Sequence, residues 1–347
     1  MAVPSETFLA INHLDIVNDY YNGFQVSASS LRIPHTAYIK ASTNPKKRKR
    51  SPSAAPMRLP PAELLVTLEA ARQYVLPHVH DLLPQYIKTV PDSPARDATP
   101  TARSDQTISA TLMDGLQENN SDDDVLVMHD KRQYLLPRHC TFVLGDIFRL
   151  PRFPTTFRCI VMDPPWENRT VARGATYATM PHVRLLNLDV PSLACPDGAL
   201  LVIWVTNKPA FHDFIVDELL PRWGFTFLQT WHWVKVAADG ECVTPLSSTH
   251  KLPFEKALVA GRGAFADMAV APRVAVSVPL RHSWKPPLAP LLTELGIDEE
   301  KDNKVEIFAR ELRPHWTCIG NEVLKFQDLC LFDAKPPDTS VAGFRAS

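Results

Sequence analysis

A carboxylate, two prolines and an indole follow a short apolar run near the middle of the chain. Ile160–Met162 is followed by Asp163, Pro164, Pro165 and Trp166. Because prolines interrupt regular structure, the run predicts a buried strand with Asp163 at its carboxyl end. Ligands of open α/β sheets bind at that end of the strands. We therefore predict that these four residues form the catalytic group.

The chemistry that suits this group is substitution at the exocyclic amine of an aromatic base. Asp163 offers an acceptor for one amine hydrogen, and a backbone carbonyl held rigid by the two prolines offers a second. The nitrogen lone pair would then point at an electrophile, and catalysis would be positioning and electrostatics. Trp166 could stack on the base, which is worth ~1–3 kcal/mol. The alternative is that Asp163 caps a turn and Trp166 packs in the core.

Strand-like and helix-like segments alternate around this motif. The predicted strands lie at 141–144, 159–162, 199–205, 225–236, 257–260, 274–278, 305–308 and 317–319, and the predicted helices at 183–194, 209–223 and 287–295. Such alternation is typical of an α/β fold with a mostly parallel sheet covered on both faces. We expect one catalytic domain over 125–335 and a disordered tail at 336–347.

The first 124 residues divide by composition. Residues 1–41 are predicted to be a small segment, either strand-rich or an interaction arm, and 42–60 a basic linker. Residues 61–88 have helical periodicity that Pro77 and Pro84 interrupt, which predicts one helix with a broken continuation. Residues 89–124 are predicted to be a flexible acidic linker.

Five consecutive basic residues lie in the linker at Lys46–Arg50. Such a run beside proline is typical of a nuclear localisation signal that binds the import machinery. The alternative is a solvated charged linker. We expect a nuclear protein, with the cytoplasm as a second compartment.

Bulk composition excludes several classes of function. The formal net charge of the 347 residues is −1, so any nucleic-acid surface must be local. The six cysteines include no CxxC pair, which argues against a zinc site or disulfide framework, and we expect no metal. The catalytic region has neither a G-x-G-x-x-G motif nor a P-loop, which argues against a dinucleotide or a nucleoside triphosphate as its cofactor. No apolar run is long enough to span a membrane.

Further motifs accompany the Asp-Pro-Pro-Trp sequence: Gln133–Pro137, Trp204–Asn207, Trp231–Lys235 and Gly320–Gln327. With them, about residues 131–332 resemble the adenine-N6 methyltransferases that use S-adenosylmethionine and carry a DPPW motif. The resemblance implies a Rossmann-like methyltransferase fold and a nucleic-acid substrate, with RNA ahead of DNA. A small nuclear RNA that contains 2′-O-methyladenosine is the favoured RNA. A protein partner is not implied.

The resemblance also implies residue roles. The methyl donor would contact Asp146, Ile147, Asp163, Lys285, Glu306, Arg310, Asn321 and Glu322. The substrate would contact Trp166, Glu167, Asn168, Tyr177, Trp233, Lys235 and His250. Simpler interpretations remain open: Asp146 as a helix cap, Lys285 as a surface lysine, and Glu306 with Arg310 as a structural salt bridge. Trp284 stands where the family pattern has a histidine.

The motif also bears on whether the protein is an enzyme. Non-catalytic members of the wider family have damaged DPPW motifs, whereas Asp163, both prolines, Trp166 and Lys285 are all present here. We therefore favour an adenine-N6 methyltransferase over a non-catalytic RNA-binding scaffold. A methyltransferase for small molecules or protein amides is a third hypothesis, which the basic run and the family motifs disfavour.

Overall fold

A ten-stranded sheet organises the protein. The structure is a computed structural model that describes residues 5–37, 60–87, 115–167, 180–248 and 251–336. The strands are β1 (Phe8–Ala10), β2 (Phe24–Val26), β3 (Gln117–Asn119), β4 (Val125–His129), β5 (Arg132–Leu136), β6 (Cys140–Leu144), β7 (Cys159–Met162), β8 (Gly198–Val205), β9 (Thr226–Lys235), β10 (Phe254–Gly263), β11 (Val274–Ser277), β12 (Lys304–Ile307), β13 (Trp316–Gly320) and β14 (Phe332–Ala334). The α-helices are α1 (His13–Asn18), α2 (Ala62–Val75), α3 (Val190–Leu193), α4 (Pro209–Phe214), α5 (Leu220–Trp223) and α6 (Ala289–Glu294).

Strand order places several strand ends on one edge. The order is β1-β11-β9-β10-β8-β7-β12-β13-β6-β3. β10 runs antiparallel to β8 and β9, and β3 antiparallel to β6, while the other neighbours are parallel. The predicted mostly parallel α/β sheet is confirmed. The carboxyl ends of β7, β12, β13 and β6 are therefore adjacent, and the amino end of β10 lies at the same edge.

Both faces of the central strands are buried, which explains their unbroken apolar sequences. Ile160 and Met162 of β7 join a cluster that includes residues of α3, α4 and α5. Cys159 and Val161 point to the other face and join a cluster with residues of α6. All eight residues of β8 are buried. This packing holds the carboxyl ends of β7 and β8 rigidly.

The predicted helices differ in detail from those observed. The segment predicted at 183–194 is a 3-10 helix at His182–Asn187 followed by α3. The segment at 209–223 is α4 and α5 joined by a π-helical turn at Ile215–Leu219. It ends at Gly224, whose φ of 70° is the left-handed conformation that commonly closes a helix.

The N-terminal elements share the core of the sheet. β1 pairs in parallel with β11. Leu68 and Ala71 of α2 are buried in one cluster with Val274 and Val276 of β11. Burial of a side chain such as Leu68 contributes about 1.5–3 kcal/mol. After α2, 3-10 helices at Leu76–Leu82 and Gln85–Ile87 form the predicted broken continuation.

The sheet also begins earlier than the expected domain boundary at residue 125. β3 pairs with β6, and β2 pairs with β14 near the end of the described chain. The sequence gives little sign of β3, because its three polar residues join the sheet through the backbone alone. Most of the basic linker (42–59), of the acidic linker (89–114) and of the tail (337–347) lies outside the described residues.

Candidate active site

Asp163 lies buried at the carboxyl end of β7, where Pro164 ends the strand because it has no backbone N–H. Its Oδ2 accepts hydrogen bonds from Arg310 Nη1 at 2.6 Å and from Lys285 Nζ at 3.1 Å. These cations compensate the cost of burying the carboxylate. The structure thus brings together three residues that lie far apart in the sequence.

Lys285 bridges two carboxylates. Its Nζ lies 3.0 Å from Glu255 Oε2 in addition to the contact with Asp163. It also lies 5.7 Å from the centroid of the Trp204 ring. Burial disfavours the ammonium, but the charges of Asp163 and Glu255 outweigh it and raise the pKa of Lys285. Lys285 is therefore a buried, permanently charged group rather than a surface lysine.

These contacts belong to one chain of alternating charges along the sheet edge. In order of contact its members are Lys235, Glu255, Lys285, Asp163, Arg310, Glu322 and Lys325. Arg310 Nε lies 3.2 Å from Glu322 Oε2, and Lys325 Nζ lies 3.1 Å from Glu322 Oε1. Four cations face three carboxylates, so these seven side chains together carry a net charge of +1, which suits an anionic ligand.

Exposed polar groups follow the two neighbouring strands β6 and β13. Asp146 comes after β6 and is exposed, and its Oδ1 accepts a hydrogen bond from Phe148 N at 3.1 Å. Asn321 comes directly after β13 and is exposed as well. Ile147 is buried beside Asp146 in the apolar cluster. Asp146 thus orders its own turn, as a cap would, and still presents a carboxylate at the edge.

Glu306 departs from its expected place beside the methyl donor. It is buried in β12, and Arg313 Nη2 lies 3.1 Å from its Oε2 without hydrogen-bond alignment. Burial raises the pKa of Glu306 to about 7, against the opposing effect of Arg313. Arg310, the partner suggested by sequence spacing, pairs with Asp163 and Glu322 instead. Glu306 is thus part of a buried ion cluster beneath the edge.

Trp166 packs in the core rather than offering an open stacking face. It is buried, its Nε1 donates to Trp204 O at 2.8 Å, and its ring stacks on Phe211 at 4.9 Å. The prolines before it are also engaged. Pro164 O accepts from Trp166 N at 2.8 Å, and Pro165 O accepts from Met180 N at 3.1 Å. These bonds fix the Pro-Pro turn, so Trp166 contributes by holding it.

Trp233 is also expected to contact the substrate, but the structure places it in the core. It is buried, and its Nε1 donates to Ser277 Oγ at 2.7 Å. Lys235, two residues later at the end of β9, lies with its Nζ 4.5 Å from the centroid of the Trp233 ring. The ammonium also donates to Glu255 Oε1. Lys235 therefore lies at the site edge, while Trp233 supports it from below.

Of the remaining residues expected to contact the substrate, the structure describes Glu167 but not the other three. Glu167 is exposed and its Oε2 lies 3.1 Å from His182 Nδ1. Asn168, Tyr177 and His250 lie outside the described residues. Two aromatic residues earlier in β9 and just before it also serve the core, because Phe225 is buried in the apolar cluster and Phe227 packs against it.

Trp284, at the family's histidine position, is a core residue here. It is buried and stacks on Phe326 at 4.2 Å with an interplanar angle of 7°. Its Nε1 donates to Glu311 Oε2, and its edge meets His13 of α1. The residue before Lys285 is thus anchored to the segment that contains Arg310 and to the N-terminal part of the chain.

Glu255 is the site residue that sequence reasoning missed. Ligands of open α/β sheets are expected beyond the carboxyl ends of strands, whereas Glu255 is the second residue of β10. Because β10 runs antiparallel to β8 and β9, its beginning lies beside their ends. An acidic residue just before the apolar run at 257–260 was the signal available in the sequence.

The residues at this edge fall within the part of the chain that matches a known family. Residues 157–322 match the MT-A70 family model. This part of the chain is therefore similar to the MT-A70 family. The matched range contains Asp163, Glu255, Lys285, Arg310 and Glu322, so the charge chain falls almost wholly within it. Within the described residues, no group of three or more His, Cys, Asp or Glu side chains could hold a metal ion, and no helix is long and apolar enough to cross a membrane.

Curated proteins that this chain is similar to are named for adenine methylation. It is 41% identical over 234 residues to the N(6)-adenine-specific methyltransferase METTL4 of Homo sapiens, covering 62% of this chain and 48% of the relative. It is 38% identical over 216 residues to the N6-methyladenosine RNA methyltransferase MTA1 of Pyricularia oryzae, covering 57% and 56%. It is 31% identical over 211 residues to a DNA N6-methyl methyltransferase of Caenorhabditis elegans, covering 58% and 56%. The chain spans about half the length of these relatives.

Proposed function

We propose that this protein transfers a methyl group from S-adenosylmethionine to the N6 amine of adenine in nucleic acid. The observation that carries the proposal is the buried Asp163 carboxylate, held by Lys285 and Arg310 at the end of β7. The MT-A70 match and the names of the relatives support the same chemistry.

The residues at the sheet edge fit S-adenosylmethionine, which supplies an electrophilic methyl group when bound. The spare positive charge around Lys285 and Arg310 suits its carboxylate, and Asp163 suits its ammonium. Asp146 and Asn321, at the ends of strands next to each other in the β13-β6 pair, suit its nucleoside. The same edge thus offers acceptors and donors for each polar part of the ligand.

Asp163 would orient the target amine. Both of its cation contacts fall on Oδ2, so we assign Oδ1 the role of accepting one amine hydrogen. The Pro-Pro turn, fixed by the bonds of Trp166 and Met180, provides carbonyl oxygens with a second lone pair for the other hydrogen. As the nitrogen bonds to the methyl carbon, the carbon–sulfur bond of the donor would break, and the amine, now acidic, would then release its proton to solvent. Catalysis therefore rests on preorganised acceptors.

The substrate we favour is RNA, specifically a small nuclear RNA with 2′-O-methyladenosine. DNA adenine is the second candidate, and the relatives include proteins named for RNA and for DNA. Mass spectrometry of nucleosides from a deletion strain separates the two. Loss of N6-methylated adenosine from RNA alone supports the first candidate, and loss from DNA alone supports the second.

Turnover by an Asp163 variant distinguishes an enzyme from a non-catalytic scaffold. Asp163→Ala should abolish methyl transfer to RNA or DNA oligonucleotides while the circular dichroism of the folded protein is retained. Full turnover by this variant would contradict the mechanism. A wild-type protein that binds RNA but neither binds S-adenosylmethionine nor transfers methyl would instead support the scaffold.

We also propose that the protein acts in the nucleus through the basic run at Lys46–Arg50. The proposal rests on the compactness of the run. The cytoplasm is the alternative compartment. A fluorescent fusion in which these five residues are replaced by alanine should lose nuclear enrichment. Unchanged nuclear enrichment would remove this role from the run.

A further inference from the structure

Glu255 divides its two carboxylate oxygens between two lysines. Oε2 lies 3.0 Å from Lys285 Nζ, and Oε1 accepts a hydrogen bond from Lys235 Nζ. Lys285 in turn holds Asp163. One carboxylate therefore joins the lysine expected at the methyl donor to the lysine expected at the substrate.

The fold leaves Glu255 little freedom to do anything else. It lies opposite Trp233 in the register of β10 and β9. The strand continues into Ala257 and Val259, which are buried on the same face. Its side chain is about a quarter exposed. Its placement follows from the strand and not from a mobile loop.

The charges around Lys235 make Glu255 indispensable to its ammonium. Burial lowers the pKa of Lys235, and the neighbouring cations Lys285 and Lys251 lower it further. His282 is close enough for Lys235 to lower its pKa as well. Among these groups, Glu255 is the acid that acts in the opposite direction. Without it, the charged groups that act on Lys235 would all disfavour its ammonium.

We propose that Glu255 is a positioning residue that keeps Lys235 protonated at the substrate side and aims Lys285 at the methyl-donor side. The Lys235 ammonium would then donate to an acceptor atom of the target nucleotide. This inference rests on the proposed function, and it assigns Glu255 a role that acts through Lys235 and Lys285.

Chemical acylation of lysines tests whether Glu255 keeps Lys235 protonated, and it does not require methyl-transfer activity. The full-length protein is treated with an N-hydroxysuccinimide ester over a range of pH, and peptide mass spectrometry follows Lys235. Glu255→Gln should move the pH at which Lys235 becomes reactive down by about one unit, since a close opposite charge shifts a pKa by one to three units. Glu294→Gln is the matched control, because Glu294 pairs with Arg273 away from the site. An unchanged Lys235 profile in Glu255→Gln would overturn the proposal.

The pH dependence of methyl transfer tests the role of Glu255 in the reaction. In Glu255→Gln the alkaline limb of kcat/KM should move to lower pH by a similar amount, and Glu255→Asp should restore part of the wild-type profile. A purely structural role predicts reduced activity with an unmoved limb, which would overturn the proposal. If Glu255→Gln does not fold, Glu255→Asp is tested in its place and should shift both profiles less. If the wild-type protein transfers no methyl group, the proposed function fails, and the acylation profile alone decides on Glu255.

Discussion

Arg310 connects the ends of β7 and β13: its Nη1 lies 2.6 Å from Asp163 Oδ2, and its Nε lies 3.2 Å from Glu322 Oε2. One guanidinium thus ties two strand ends on either side of β12. The planar fork of arginine reaches the two carboxylates through two different nitrogen atoms. Asp163 is therefore positioned by a residue that lies 147 positions away in the sequence.

Arg310→Gln should destabilise the protein. Asp163 and Glu322 keep Lys285 and Lys325, but the buried carboxylates lose a charge-assisted donor, which costs about 1–3 kcal/mol. Urea unfolding measures the difference. Arg273→Gln is the control, since its pair with the more exposed Glu294 should contribute about 1 kcal/mol or less. Equal losses in the two variants would contradict the importance assigned to Arg310.

Lys285→Ala should weaken binding of S-adenosylhomocysteine, which has the same carboxylate as the methyl donor. Loss of a charged hydrogen bond of about 1.5–3 kcal/mol corresponds to roughly 10- to 100-fold in the dissociation constant. Isothermal titration calorimetry measures it. Lys301→Ala, at an exposed pair with Asp298, should bind as the wild type does. Wild-type affinity in Lys285→Ala would place the carboxylate elsewhere.

Trp284→His, which introduces the residue of the family pattern, should destabilise this protein. Histidine cannot reproduce both the stacking on Phe326 and the bond to Glu311, and the buried carboxylate would lose a donor. We expect a loss of about 1–3 kcal/mol in thermal or urea unfolding. A variant as stable as the wild type would show that histidine fits the same place.

Glu306 should make stability depend on pH. Its pKa in the fold is raised to about 7, from 4.5, so the folded protein retains a proton that the unfolded chain releases between these values. Stability should therefore be highest below pH about 4.5 with respect to this group and fall as pH rises toward 7, by about 3 kcal/mol.

Glu306→Gln should remove this dependence, because the amide is neutral at every pH. The difference in unfolding free energy between variant and wild type should be small at pH 5 and favour the variant at pH 8. Arg313 keeps Glu311 as its partner in the variant. Glu300→Gln, an exposed position, is the control. A variant that is less stable than the wild type at pH 8 would show that the pair with Arg313 outweighs burial.

Local sequence was sufficient to locate eight of the ten strands of the central sheet, β6 to β13, and the carboxylate that follows β7. Unbroken apolar runs bounded by prolines and glycines mark β7 and β8, and the residue after β7 is Asp163 wherever that strand lies in the sheet. Resemblance added Lys285 and Arg310, which the structure brings to Asp163. Such information is local, because a strand and its end are defined by neighbouring residues.

Tertiary structure decided which side chains face the site and which partners they choose. Glu255 reaches the edge because β10 runs antiparallel, and Glu306, which is buried in β12, meets the buried Arg313 rather than Arg310. Trp166 and Trp233 are turned into the core by bonds to Trp204 O and Ser277 Oγ. Strand direction and side-chain face depend on pairing between distant segments, so the spacing of residues along the chain could not determine them.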